Sequence, residues 1–310
     1  MRSNKVGHTG ITWPFTPQGA QQAIADISRL GYAGVELFGF VIDAYPGGVD
    51  AVRGDLERAG LRLSAAYCSV SLVDPAFRED DVKRMEAWAR DVASLGGDVV
   101  VVGPSPRRRP SYGADDYREV CTTLNQIGER CAGIGVKACF HPHTGTPVES
   151  REEIGRVMDN IDPGKVFMAP DTGQIAKGGG DPAEVVRTYA ALVRHIHLKD
   201  YVGGESKFDR DGELVDRTGY LDYVPLGSGV VDFPAIVAEL ESNGYDGWWM
   251  AELDGTEQAP RSPGEAARLS KEYLNQVLAL SGPPRQAIRT TSRNSEQRLS
   301  RGLPLATAAR

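Results

Sequence analysis

Four of the chain's five histidines fall in two pairs spaced two residues apart, His141 and His143 in KACFHPHTGT and His195 and His197 in HIHLKD. Residues i and i+2 of a β-strand face the same side. His141 and His143 therefore point one way at the end of an apolar run. Pro142, with no N–H to give a sheet, suits that strand end. Such a strand delivers two nitrogen ligands or bases to one site. Charged groups close other apolar runs in the same way: Glu36 in GVELFG, Asp171 after FMAP, Lys199 after HIHL, and Glu252 after WWMA with Asp254 just beyond. In a packed interior such groups are costly unless they pair or bind metal. Imidazoles and carboxylates converging from separate strands, with room for a substrate oxygen, suit Mn²⁺, Co²⁺, Zn²⁺ or Mg²⁺.

The residue types do not all ask for the same role. Asp171, His197 and Glu252 read as ligands, although Asp171 also sits where a side chain would cap the next turn. His141 reads equally as ligand or as base. Glu36 suits a substrate contact or an outer carboxylate better than a ligand. His195 lies deeper in its run and reads as a core histidine. His8, near the start of the first strand, reads equally as site floor or filler.

These groups need elements to position them. Strand-like KVGHTGITW, GVELFG, LRLSAAYCSV, DVVVVG, VKACFHPH, KVFMAPD, HIHLKD and GWWMAEL alternate with helix-like segments, several of which open after Asp or Ser and close at Gly. Eight such units predict a single-domain α/β fold, a (β/α)8 TIM barrel over residues 1–281. No G-x-G-x-x-G follows the first strand, which argues against a doubly wound sheet. Catalytic groups of a TIM barrel gather at the C-terminal strand ends, where the residues above fall. The long connection 201–232, glycine-rich and charged, predicts a lid over the site or a subunit contact beside it. Residues 282–310 hold six arginines and one glutamate with little aliphatic pattern, and read as a basic, disordered tail.

A net charge of −7 over 310 residues argues against a phosphate-backbone binder. No apolar run approaches the roughly 20 residues of a membrane span, and MRSNKVGHTGITW lacks a secretory apolar core. The four cysteines show no C-x-x-C spacing. The expectation is a reduced, cytoplasmic protein with no nucleic-acid or membrane partner; a homo-oligomer is compatible with the sequence.

GYAGVELFG, DTGQ…GGGDP, HIHLKD and LGSGVVDFPAIVAELESNGYDGWWMAEL together resemble the xylose isomerase-like barrel superfamily over about residues 5–281. That group holds sugar isomerases, sugar epimerases and inosose dehydratases. The resemblance implies one divalent ion, Mn²⁺ or Co²⁺ ahead of Mg²⁺ or Zn²⁺, held by Glu, Asp, His and Glu from strands five to eight. Asp171, His197 and Glu252 match three of these. His141 stands at the fourth, and HPHTGTPVE is similar to the His-x-His-x-Gly-Thr of the inosose dehydratase-like branch. His141 then either completes the metal shell or acts as the base. The same comparison makes Glu252 and Lys199 candidate catalytic groups, and Glu36, His143, Glu149 and Gln174 candidate substrate contacts. Gln174 replaces the His of a more usual DTGH, and glutamine carries no proton near neutral pH.

The implied chemistry is proton abstraction α to the carbonyl of a small-molecule carbohydrate, a keto-sugar or inosose. The His-x-His motif favours loss of a β-hydroxyl, a dehydratase. An isomerase or epimerase is the alternative, and a non-catalytic sugar-binding subunit the remote one. A three-metal nuclease of the endonuclease-four type shares the barrel, but the acidic charge and few histidines oppose it.

Overall fold

The strands found in a computed structural model, which describes residues 5–105, 109–203, 222–254 and 261–280, are β1 (Val6–Thr9), β2 (Gly34–Phe38), β3 (Arg62–Val70), β4 (Val99–Pro104), β5 (Lys137–Phe140), β6 (Val166–Met168), β7 (His195–Leu198), β8 (Asp200–Tyr201), β9 (Tyr223–Val224) and β10 (Trp248–Ala251). One parallel sheet runs β6-β5-β4-β3-β2-β1-β10-β7. Bridges Met168–Val193 and Asp171–His197 span the seam between β6 and β7. There Arg194 N and His197 N donate to the carbonyls of Met168 and Pro170 at 3.1 and 3.0 Å. This is the expected (β/α)8 barrel, nearly closed.

Period-two alternation builds its two layers. Val100 and Val102 of β4 join the large apolar cluster between sheet and helices. Val99 and Val101 join a small cluster with Ala65, Cys139 and Ala169 inside the barrel. All four cysteines are buried and free.

The outer layer is α1 (Pro17–Arg29), α2 (Gly39–Asp43), α3 (Gly48–Ala59), α4 (Arg78–Ser94), α5 (Ala114–Ala132), α6 (Arg151–Met158), α7 (Thr172–Lys177), α8 (Pro182–Tyr189), α9 (Phe233–Ser242) and α10 (Pro263–Leu280). Capping chemistry sets their ends. Ser150 opens α6 with a capping box completed by Glu153, and Gly60 closes α3 at φ +66°. Among the described residues no helix is long and apolar enough to cross a membrane.

Three local expectations change. KVGHTGITW is strand only to Thr9, then a 3-10 turn over Gly10–Thr12. VKACFHPH is strand only to Phe140, although His141 N still donates to Val102 O at 2.9 Å and extends the ladder by one bond. The 201–232 connection is not wholly irregular: β9 within it pairs antiparallel with β8 at its start. Residues 204–221 and the 282–310 tail lie outside the described residues, and with them most of the proposed lid.

Candidate active site

Strand β7 orients the centre. Ile196 and Leu198 pack into the large outer cluster, so His195, His197 and Lys199, of opposite parity, face the barrel interior. The Nε2 atoms of His195 and His197 lie 2.7 and 2.9 Å from one oxygen of Glu36 on β2. On its other side, His197 Nδ1 lies 2.9 Å from Glu252 Oε2. Burial pulls the His197 pKa down, but Glu252 and Glu36 outweigh it and hold the imidazole well above its ordinary value. Burial likewise opposes charge on Glu252, yet His197 and Lys199 keep its carboxyl well below the usual range.

Lys199 is fully buried, with Nζ 2.9 Å from Asp171, 2.6 Å from Glu252 and 2.9 Å from Asp254. Burial alone would discharge it; Asp171, Asp254 and Glu252 hold it well above its ordinary value. Thr172 fixes its backbone, its Oγ1 donating to Lys199 O at 2.6 Å and accepting from Lys199 N at 2.9 Å. The glycine of DTGQ makes room for it, since a Cβ on Gly173 would fall 2.6 Å from Lys199 Cγ. Burial pushes Asp254 up to about 7 against the pull of Lys199.

Asp171 divides its two oxygens among three neighbours. Oδ1 caps α7, accepting from Gln174 N at 3.0 Å, while Oδ2 faces Lys199 and, at 3.9 Å, His141 Nε2. Ligand atoms of His141, Asp171 and His197 lie within 4.8 Å of one another, as do those of Glu36, His195 and His197. Glu252 reaches the first group through its contact with His197. Burial first, and His197 and His143 next, hold His141 well below its ordinary value, so the ring is neutral; among the described residues its buried Nδ1 has no hydrogen-bond partner.

This donor set fits a divalent cation. Among the described residues, the buried carboxylates of Glu36, Asp171, Glu252 and Asp254 converge on His197 and Lys199, and burial raises Asp171 and Asp254 above the usual carboxylate range. Beside these oxygens the neutral His141 turns Nε2 toward Asp171, so oxygen and nitrogen donors meet in a water-poor interior.

Gln174 Oε1 accepts from Tyr223 O–H at 2.7 Å and from Thr144 N at 3.3 Å, so the amide is a fixed polar link between loops. His143 sets Nδ1 2.7 Å from Thr144 O, and burial lowers it to about 4. Its ring centroid is 5.9 Å from that of His141, so the pair stays together although the strand stops before it. Glu149 accepts from Gly145 N at 2.7 Å and shapes the HTGT turn. His195 is buried as a core histidine, and it also supports Glu36. His8 packs edge-on against Trp13 and Tyr32, at 5.4 and 5.3 Å, with Nδ1 2.8 Å from Thr9 O; its surroundings are those of filler.

Two neighbours of the centre escaped sequence reasoning. Tyr67 meets His141 edge-on at 5.2 Å and stacks 6.5 Å from His197. Its inward parity in LRLSAAYCSV was the signal available. Tyr223 bonds Gln174 and sets its ring 4.8 Å from Lys199 Nζ. It comes from the long connection, where no periodicity announces it.

Residues 24–277 match the family described as xylose isomerase-like TIM barrel. The inosose dehydratase of Geobacillus kaustophilus (strain HTA426) is 29% identical over 272 residues, covering 83% of this chain and 87% of that protein. Among solved structures, a D-tagatose 3-epimerase-like protein superposes with a TM-score of 0.67 at 18% identity, covering 89% of this chain and 98% of that one. The IOLI protein with a binding zinc atom does so with a TM-score of 0.70 at 16% identity and the same coverage. The chain belongs to the xylose isomerase-like TIM barrel family.

Proposed function

We propose that this protein is a metal-dependent carbohydrate lyase, which removes the proton α to the carbonyl of a keto-sugar or inosose and expels a β-hydroxyl. The observation that carries the reading is the buried convergence of His141, Asp171, His197, Glu252 and Lys199 from separate strands on one space. The similarity to an inosose dehydratase over most of both chains supports the substrate class. Asp171, His197 and Glu252 would hold one divalent ion, Mn²⁺ or Co²⁺ first, and His141 would either join them through Nε2 or take the substrate proton. Such an ion, when bound, polarises the substrate carbonyl.

The chain's own groups divide the remaining work. Lys199, kept protonated by three carboxylates, faces negative charge developing on a substrate oxygen. Asp254, at about 7, is suited to hand a proton to a departing hydroxyl near neutral pH. Glu36 and His195 hold His197 in place from behind, and His143, Gln174 and Glu149 surround the substrate hydroxyls. An isomerase or epimerase would use the same first step and return the proton to carbon.

The decisive measurement is hydrogen exchange of candidate keto-sugars and inososes in D₂O with Mn²⁺ supplied, read by NMR alongside product analysis. Exchange with loss of water supports the lyase. Exchange with only a rearranged sugar makes it an isomerase or epimerase, and no exchange on any substrate rejects the shared mechanism. His141→Ala then separates the two roles of that residue: metal content and turnover fall together for a ligand, turnover alone for a base.

A further inference from the structure

Among the described residues the mouth of the barrel has a polar side and an aromatic one. Lys199, Asp254, Gln174 and Tyr223 form the polar side. Opposite, at the C-terminal ends of β1 to β3, stands a run of aromatic rings. From His141 the steps are 5.2 Å to Tyr67, 5.5 Å to Phe38 at the end of β2, and 5.0 Å to Phe40 in α2, with Phe15 4.9 Å from Phe38 on the other flank. The run passes from a buried imidazole to open solvent: Phe38 is half-buried, while Phe15 and Phe40 are 55% and 48% exposed.

The backbone presents these rings firmly. Thr16 N donates to Pro14 O at 2.8 Å, and the Thr16 hydroxyl accepts from Gly19 N at 3.0 Å, fixing the turn that carries Phe15. Gly39 lies so close to the Trp88 ring that a Cβ would come within 2.8 Å, which fixes the entry to α2 and thus Phe40. Gly103 leaves the space that the Tyr67 hydroxyl fills. Exposed aromatics on a rigid frame bind with little ordering cost.

We propose that Phe15, Phe38 and Phe40 form a subsite for a flat apolar ring attached to the sugar, so that the substrate is a keto-glycoside, its ketone on a ring carbon other than the anomeric one, carrying an aryl group rather than a free sugar. The inference rests on the carbohydrate reading of the site above. A lone sugar ring beside His141 and Lys199 covers Tyr67 and leaves Phe40, two ring steps further out, in water. A second protein chain is the other occupant to weigh. Three partly covered side chains offer a few hundred Å² at most, against roughly 800 Å² per partner in a stable interface. Their area suits one ring.

The test uses the full chain with Mn²⁺ supplied and matched phenyl and methyl glycosides of a panel of hexoses, titrated calorimetrically. The phenyl compounds are expected to bind about ten-fold tighter than their methyl partners. Phe40→Ala and Phe38→Ala, with melting temperature as the check on folding, should reduce that ratio toward one while methyl glycoside affinity holds. A ratio near one in the wild type, or one that survives both substitutions, overturns the subsite. So does a loss of self-association on Phe40→Ala with the ratio unchanged, which would assign the rings to a second copy. Hydrogen exchange on keto-sugars is scored separately. Exchange without phenyl preference rejects the subsite and leaves the enzymatic reading intact. Phenyl preference that Phe40→Ala abolishes, without exchange, keeps the subsite and rejects the reaction.

Discussion

His197 places a carboxylate against each of its two ring nitrogens, and both carboxylates are buried. Removing the imidazole takes from each carboxylate one of its buried partners, leaving Glu36 to His195 and Glu252 to Lys199. His197→Ala should therefore destabilise the fold by roughly 3–5 kcal/mol, the usual cost of breaking a buried pair, and abolish metal retention. Melting curves and metal analysis on the same sample check both; retained metal would remove His197 from the ligand set. His8 gives a prediction with pH. Burial lowers its pKa from 6.5 to about 4. The stability contributed by its neutral form is fully present above pH 6.5 and is lost as pH falls toward 4, by up to about 1.4 kcal/mol per pH unit. In His8→Gln that part of the acid sensitivity should vanish. Urea midpoints of both proteins at about pH 7.5 and about pH 5 test this, and parallel losses would refute it.

At the scale of elements, Asp200 clasps the long connection. Its carboxylate, fully buried, accepts from Tyr201 N at 3.0 Å, Gly227 N at 2.9 Å, Gly229 N at 2.7 Å and Val231 N at 3.2 Å. Gly229 is needed for the approach, because a Cβ there would lie 2.2 Å from Tyr201 O. The clasp and the β8–β9 pair bring Tyr223 onto Gln174 and over Lys199. Asp200→Ala takes the acceptor from four backbone N–H groups, of which Val231 N is buried, and should cost on the order of 2 kcal/mol. Turnover should fall beyond what the loss of folded protein explains, because Tyr223 is released. Replacing residues 204–221 with a short Gly linker should cut turnover far more than it lowers the melting temperature, since loop length costs little in stability. Undiminished activity would end the lid proposal.

For the whole molecule, an ion bound only by the folded state stabilises it by mass action, about 2.7 kcal/mol at a hundred times Kd. Stripping with a chelator should lower the melting temperature, and Mn²⁺ or Co²⁺ should restore it. A chelator effect that persists in Asp171→Asn would place the ion elsewhere. The barrel brings the cluster together at its seam, where the His197 backbone bonds the Pro170 carbonyl. Metal loss is therefore expected to loosen β6 and β7 first, seen as faster amide exchange in those strands than in β3 and β4.

Strand and helix periodicities, capping residues and glycine stops were enough to read eight βα units, because each is a local property of the backbone and its nearest side chains. Strand parity also put His195, His197 and Lys199 on one face before any contact was known. Parity could not say which carboxylate each would meet. Glu36 is 161 residues from His197, and Asp254 is 55 from Lys199; barrel closure alone makes them neighbours. The sequence left Asp171 between cap and ligand. Folding resolves this by geometry, giving one oxygen to Gln174 N and turning the other toward Lys199 and His141. Tyr223 and the exposed rings of Phe15 and Phe40 had no periodic signal, since their positions come from a loop clasp, a capping turn and a five-residue helix. Local patterning determined the scaffold and the residue types at its mouth. Only tertiary closure decided which charges share a buried space, and that sharing sets their protonation.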